Sequence, residues 1–566
     1  MQDQGLQGYI IPRGDEYLGE FVADYAERLA FLTGFTGSAG LAIVLRDIAC
    51  LFVDGRYGLQ AKSEIDTQSY EIANIMKIGP GDWLAARAEP GMRIGYDPWL
   101  HSVQAIEKWT DTLAGTGIEL VAVETNLIDT IWADQPATPK GEVALFDAAI
   151  AGRSAQDKYA LVAQALHDKG ADAQLICQPD VIAWLLNIRG SDIAHTPVAL
   201  SYAVVRADTR QIDWFIAEEE VPAAVREHLG DLVAIRPPEI LPDYLEGLRD
   251  MVVRLDPQRS VQWFKAMLEQ SGAHIQRGED ACIAPRACKT RAELAGMREA
   301  HIRDGVALVR FMAWLDSHND SLSEIGAAQK LYDLRADDAD FRGLSFPSIA
   351  GADGHGAIIH YHATPDSAAD IGADSVLLLD SGGQYRTGTT DITRIFAFGR
   401  AVNDEALRRH YTAVLKGHLA LASARFPEGT TGAQLDALAR APIWAETLDY
   451  PHGTGHGVGV YGHVHEDAGV ALSPRSHEPL KPGMILTNEP GYYREDHYGI
   501  RIENMLAVID TGEKLDDGRA VLAFEDLALA PYARDLIAAD RLSGAALDQL
   551  NAYHAYVYDR LADRLD

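Results

Sequence analysis

Four carboxylates and one imidazole stand where apolar runs end or are interrupted, positions at which an unpaired charge is costly. Asp380 closes the run VLLLD, and Asp391 lies within TTDITRIFAF. His456 falls in 452-HGTGHGVGVYGHVHE-466, Glu489 follows MILTN, and Glu503 interrupts GIRIENMLAV. Turn capping accounts for Asp380 tolerably, because Ser381 and Gly382 follow it. It accounts poorly for Asp391, which has apolar and β-branched residues on both sides. A buried carboxylate needs a cation, and a metal ion is the strongest available.

Four carboxylates and an imidazole can hold two divalent ions, with some carboxylates bridging. The oxygen-rich set favours harder ions such as manganese over a thiolate zinc site. Two ions about 3.5–4 Å apart can share a hydroxide and stabilise the tetrahedral intermediate of a hydrolysis. Such chemistry also needs a proton shuttle and oxyanion donors, for which spare histidines are suited. His452 and His456 have the i, i+4 spacing of a zinc helix, but Gly453, Gly455, Gly457 and Gly459 argue against a helix there. The glycines instead allow close approach to the backbone. Solvent exposure is expected for His463, and for Glu495 and Asp496 in a turn.

These residues require strands on either side of them. SVLLLD and TTDITRIFAF read as paired strands joined by the glycine-bearing turn SGGQYRTG. Upstream, Thr290 and Glu293 have capping-box spacing at the start of a long helix. Val306, Val309 and Ala313 mark one face of that helix, and Leu308, Phe311 and Leu315 another, so burial over much of its circumference is expected. In the first third of the chain, LAIVLRDIACLFVD (41–54) reads as two strands with a tight polar turn.

Residues 29-LAFLTGFTGS-38 echo 182-IAWLLNIRGS-191, with Ala30, Leu32, Gly37 and Ser38 returning as Ala183, Leu185, Gly190 and Ser191. The echo and its strand context imply a duplicated α/β domain. Boundaries are expected near 140–160 and 285–292, giving domains over 1–150, 151–287 and 288–566. The terminal segment carries Leu547, Leu550, His554, Val557 and Leu561 at 3-4-3-4 spacing. That spacing favours packing on its own domain over subunit pairing.

The totals narrow the function classes. The 566 residues are 47% hydrophobic with a formal net charge of −33, a soluble globular composition. That charge makes nucleic acid and anionic membrane poor partners. Cys50, Cys177, Cys282 and Cys288 form no CxxC pair and read as reduced thiols of a cytoplasmic protein. MQDQGLQGYIIPRGDEY has neither the basic nor the long apolar region of a signal peptide.

The order of these segments resembles the pita-bread metallopeptidase superfamily. Within it, the chain resembles the long, three-domain cytosolic form of the Xaa-Pro aminopeptidase (aminopeptidase P) family. The resemblance spans essentially the whole chain. It is carried by RLAFLTGFTGSAG, IAWLLNIRGSDI, LSFPSIAGADGHGAIIHY, LLLDSGGQYRTGTTDITR, HGTGHGVG, VHE, NEPGYY and GIRIEN. It implies two related creatinase-N-like α/β domains before a pita-bread catalytic domain with a C-terminal helical extension. Asp380, Asp391, His456, Glu489 and Glu503 are implied as ligands of two divalent ions, manganese foremost, with zinc or cobalt as alternatives. His360 and His465 match the family's substrate-contacting and proton-handling histidines. His452 matches a histidine that shapes the proline pocket, and Arg501 an arginine that supports the ligand carboxylates. The implied activity is removal of an N-terminal residue when proline is second, through a metal-bridged hydroxide. Proline dipeptidase is the near alternative. A metal-free creatinase-like reaction and a non-catalytic binding module are disfavoured by the complete ligand set. Homodimerisation is also implied, partly through the tail.

Overall fold

The computed structural model describes residues 1–317 and 322–565. The chain divides into two compact units, Met1–Ala148 with Arg153–Ile283, and Ala149–Gly152 with Ala284–Asp566.

The first unit contains two six-stranded sheets. In spatial order the first runs Tyr70–Asn74, Ala49–Val53, Leu41–Leu45, Gly8–Pro12, Arg93–Tyr96 and Glu119–Ala122. The second runs Val233–Arg236, Ile212–Phe215, Tyr202–Arg206, Ala173–Ile176, Val252–Leu255 and His274–Arg277. Corresponding neighbours pair with the same sense in both sheets: two antiparallel pairings beside three parallel ones. The duplication read from the sequence is therefore a repeated topology.

The echoed segments carry its local mark. The helix Arg28–Thr33 ends at Gly34 with φ 80°, and the helix Pro179–Leu186 ends at Asn187 with φ 52°. Glycine and asparagine are the residues that accept this left-handed cap at least cost. LAIVLRDIACLFVD folds as the expected pair, with Leu41 opposite Phe52 and Ile43 opposite Cys50.

In the second unit, Thr290 and Glu293 form a complete capping box at the start of the helix Arg291–Leu315. Its Leu308, Phe311 and Leu315 are buried, and Val306 and Val309 are half-buried. Ala313 is exposed, contrary to the expectation from periodicity. An alanine has little apolar surface to hide, so its exposure costs little.

Val376–Ser381 is buried at every position and lies between Ile349–Ala352 and Ile392–Ala397. A central strand covered on both faces reads as an unbroken apolar run, which explains VLLL. A six-stranded sheet follows, in the order Arg425–Pro427, Ala520–Asp526, Asn504–Lys514, Ile485–Asn488, Gly455–Gly457 and Glu466–Leu472. Gly491–Arg494 and Tyr498–Arg501 form a separate ribbon.

Three details differ from the sequence reading. SGGQYRTG is more than a turn: Gly383–Tyr385 pairs with Gly388–Thr389 on one side and with Phe341–Leu344 on the other. Asp391 precedes the strand Ile392–Ala397, in which Ile392 is already opposite Ser381. Glu503 lies between strands of different sheets, because the chain leaves the ribbon at Arg501 and enters the larger sheet at Asn504. Both carboxylates thus occupy ladder ends, where a side chain can turn inward without being fixed by the pleat.

The terminal helix Gly544–Leu561 buries Leu550, Tyr553, Val557 and Leu561 against its own unit, while Leu547 is exposed. No helix among the described residues is long and apolar enough to cross a membrane.

Candidate metal centre

The elements of the second unit bring the five singled-out side chains into one cluster. Asp380 lies opposite Ile349 and Thr393 in the three-stranded sheet. Asp391 follows ten residues' worth of small hairpin, and Gly382 lets the two passes meet. A Cβ at Gly382 would stand 2.0 Å from the Thr390 carbonyl oxygen, so only glycine fits. His456 sits on the short strand Gly455–Gly457, not on a helix. A Cβ at Gly455 would be 1.9 Å from the carbonyl oxygen of Thr487, so this glycine permits the approach that brings His456 to Glu489.

Hydrogen bonds fix the orientation of these groups. The Nδ1 of His456 lies 3.0 Å from the Gly457 carbonyl, which can only accept, so Nδ1 carries the proton. Nε2 is left as the lone-pair nitrogen, 3.6 Å from both Asp391 Oδ2 and Glu489 Oε1. This outer bond to a ligand-type histidine is the arrangement that sets tautomer and ring angle in metal sites. The Thr487 hydroxyl accepts from the His456 amide at 3.1 Å and donates to Glu489 Oε1 at 3.3 Å.

Arg501, buried at 2% exposure, links the opposite side. Its Nη2 donates to Asp380 Oδ2 at 2.6 Å and to the Ile359 carbonyl at 3.4 Å. Its Nε donates to the Thr393 hydroxyl, which in turn donates to Glu503 Oε2 at 2.7 Å. Its Nη1 donates to the Tyr493 hydroxyl at 2.8 Å, which bonds His452 Nε2 at 2.9 Å. His452 Nδ1 faces the Gly453 carbonyl, so Nε2 accepts from Tyr493.

Ligand atoms of Asp391, His456 and Glu503 all lie within 4.8 Å of one another. Burial is the first cause that drives the carboxyls upward. It raises Asp391 and Glu503 well above the usual carboxylate range, and the neighbouring carboxylates add to the shift. Glu489 is pushed up to about 7, mainly by burial; Asp380 adds to the shift, while Arg501 and His465 oppose it. One guanidinium does not neutralise four carboxylates in a dry setting.

Two oxygens decide whether cations fit. Asp380 Oδ1 and Asp391 Oδ1 are buried without a hydrogen-bond partner, and they are the only carboxylate oxygens of which this holds among the described residues. Buried acceptors are normally satisfied. Two such atoms amid four converging carboxylates and a lone-pair nitrogen fit oxygen-loving divalent ions.

His452 is tied to the Arg501 side of this cluster through Tyr493. The His465 ring lies 4.2 Å from that of His456. Its chain is held through Glu466, which forms a buried ion pair with Lys289. His360 adjoins Ile359, the Arg501 acceptor. His463 is half-buried, not a surface residue, and its Nδ1 accepts from the His465 amide at 3.0 Å. Glu495 and Asp496 are exposed, as expected.

Sequence reasoning overlooked Thr393, Tyr493 and Lys289. Thr393 reads as β-strand filler, and Tyr493 lies in the quoted NEPGYY. Lys289 and Glu466 are 177 residues apart, and no local pattern connects them.

The chain is similar over almost its whole length to proteins of known type. It is 38% identical to the "Probable Xaa-Pro aminopeptidase P" of Fusarium vanettenii, over 99% of this chain and 94% of that one. It is 36% identical to Aminopeptidase P2 of Arabidopsis thaliana, over 99% and 84%. This chain belongs to the Xaa-Pro aminopeptidase P family. Residues 295–510 match metallopeptidase family M24, and residues 520–566 its C-terminal region. Residues 1–131 and 134–293 match creatinase/prolidase N-terminal domains.

The fold is therefore two creatinase-type domains and a pita-bread domain of the Xaa-Pro aminopeptidase family. The crystal structure of X-prolyl aminopeptidase from Caenorhabditis elegans superposes with a TM-score of 0.93 at 32% identity, covering 99% of this chain and 92% of that one. That protein is described as a cytosolic enzyme with a di-nuclear active site. Prolidase from Pyrococcus furiosus, at 21% identity and a TM-score of 0.51, shares the fold over 64% of this chain.

Proposed function

We propose that this metallopeptidase hydrolyses the N-terminal Xaa-Pro bond of peptides, with Asp380, Asp391, His456, Glu489 and Glu503 holding two divalent ions. The buried, unpartnered oxygens of Asp380 and Asp391 carry the metal assignment. Whole-chain similarity to Xaa-Pro aminopeptidases supports the substrate class. When bound, such a pair of ions activates water and polarises the scissile carbonyl as a Lewis acid.

The chain's own residues orient and protonate. Arg501 holds Asp380 in place through its Nη2, and passes that order through Thr393 to Glu503. His456 presents Nε2 inward because Gly457 holds its other nitrogen. His465, whose ring packs on His456, and His360, next to the Ile359 carbonyl that Arg501 holds, are assigned to steady the carbonyl oxygen and deliver a proton to the leaving proline nitrogen. That nitrogen belongs to a tertiary amide, which has no N–H to donate, so the pocket must recognise ring shape. His452, held by Tyr493, supplies one wall. Water adds to the carbonyl carbon, the C–N bond breaks, and the products are a free amino acid and a peptide beginning with proline.

Manganese is the ion best matched to this oxygen-rich set, ahead of zinc or cobalt. The domains are assigned to 1–150, 151–287 and 288–566. We assign the chain to the cytoplasm, in keeping with four cysteines that form no disulfide, and to a homodimer that uses the exposed side of the tail.

Elemental analysis of the purified protein and a short peptide panel test this reading. Two ions per chain and turnover of Xaa-Pro-Xaa tripeptides are expected. Turnover confined to Xaa-Pro dipeptides would instead establish a dipeptidase.

A further inference from the structure

Glu324 is a carboxylate outside the metal cluster, and its side chain is fully buried. It opens the helix Glu324–Ala336, just after the Ser323 cap. A helix start welcomes negative charge, but burial demands hydrogen-bond partners as well. Four residues supply them. Oε1 accepts from the Ala352 amide at 2.7 Å and from His355 Nδ1 at 2.9 Å. Oε2 accepts from the Tyr361 hydroxyl at 3.0 Å and from the Ala369 amide at 2.7 Å. The Glu324 amide also donates to the Ala369 carbonyl at 3.0 Å.

The four donors come from a single excursion of the chain. It leaves the strand Ile349–Ala352 and returns at Asp370–Ile371. One side chain thus pins its two ends at Ala352 and Ala369 and its middle at His355 and Tyr361. The His355 and Tyr361 rings pack at 4.5 Å, which stiffens that middle. His360 lies in this excursion, directly before Tyr361. On its other side, Ile359 accepts from the same Arg501 nitrogen that holds Asp380.

We propose that Glu324 is a positioning residue for hydrolysis, holding the 352–369 excursion so that His360 stays at the Asp380–Arg501 edge of the cluster. The inference rests on the substrate-handling role given to His360 above. A small displacement of such a group costs turnover without touching the ligands. Glutamine cannot replace the carboxylate, because its one oxygen serves fewer donors and its NH2 meets donors head-on.

The test is Glu324→Gln, with Tyr361→Phe as a milder variant that deletes one donor. Turnover of an Xaa-Pro-Xaa peptide should fall about 10- to 100-fold in Glu324→Gln, with bound manganese unchanged. Amide exchange at Ala352 and Ala369 should accelerate. In a His360→Ala background the same change should cost little more, because both act through one histidine. Equal losses in both backgrounds, wild-type turnover, or lost metal would overturn the proposal. His360→Ala alone, if fully active, would refute the role of His360 itself; the exchange data would still report whether the strap exists.

Discussion

Buried carboxylates in the two units are treated differently. In the first unit Asp213 and Asp256 are paired with Arg236 and Arg259, while Asp15 and Asp280 are met by neutral donors. Asp15 Oδ1 accepts from the Tyr17 and Gly19 amides, and Asp280 Oδ1 from Gln174 and the Cys282 amide. In the second unit Asp380 and Asp391 each retain a buried oxygen that no group among the described residues satisfies. Satisfied carboxylates tie loops together, whereas unsatisfied ones gathered at one point leave room for a cation. Glu324 shows that the second unit can also saturate a carboxylate, so the deficit belongs to the cluster and not to the whole unit.

The largest expected effect breaks this contrast at its centre. Asp391→Ala should abolish turnover and remove bound metal, as read by peptide hydrolysis and elemental analysis. Thorough chelation of the wild type should do the same, with activity returning on addition of manganese. Normal metal content in Asp391→Ala would refute the ligand assignment.

The next effect concerns the cluster's one internal cation. Arg501→Ala leaves Asp380 buried and unpaired, a change that costs about 3–5 kcal/mol in comparable sites. The thermal transition of the catalytic unit should drop most in the metal-free protein. Excess manganese should restore part of the loss, because bound ions supply positive charge to the same carboxylates. A loss that metal leaves untouched would mean that Arg501 acts on packing alone.

The sequence revealed what is local or repeated. Thr290 and Glu293 announce their helix because a capping box is a three-residue device. The echo of 29–38 in 182–191 foretold two sheets of one topology. Asp391 and Glu503 stand out as charges among apolar residues, but an apolar run alone reads as continuous strand through both. They sit at ladder ends because the sheet changes partner there, a tertiary event with no signature in periodicity. Glu324 resembled an ordinary helix-start glutamate, since its donors at 352, 355, 361 and 369 are distant in sequence. The Lys289–Glu466 pair was hidden for the same reason. The family resemblance, not spacing, brought His360, His465 and His452 into view.

The smallest effect sharpens the contrast from the satisfied side. Burial raises Asp15 to about 6 despite its two amide donors. The folded state therefore holds this proton more tightly than the unfolded chain, whose value is near 3.8. The stabilisation is complete below about pH 4 and is lost as pH rises through about 6. The difference of about two pKa units corresponds to on the order of 3 kcal/mol. Asp15→Asn keeps an oxygen for the two amides and carries no charge at any pH. Its stability relative to wild type should therefore rise between about pH 4 and 7, followed by chemical denaturation of the first unit, with metal content and turnover unchanged. A gap independent of pH would mean that Asp15 stays ionised throughout. A carboxylate satisfied by neutral donors alone would then tolerate burial as a charge, and the unsatisfied oxygens of Asp380 and Asp391 would be the feature that separates the two units, independent of charge.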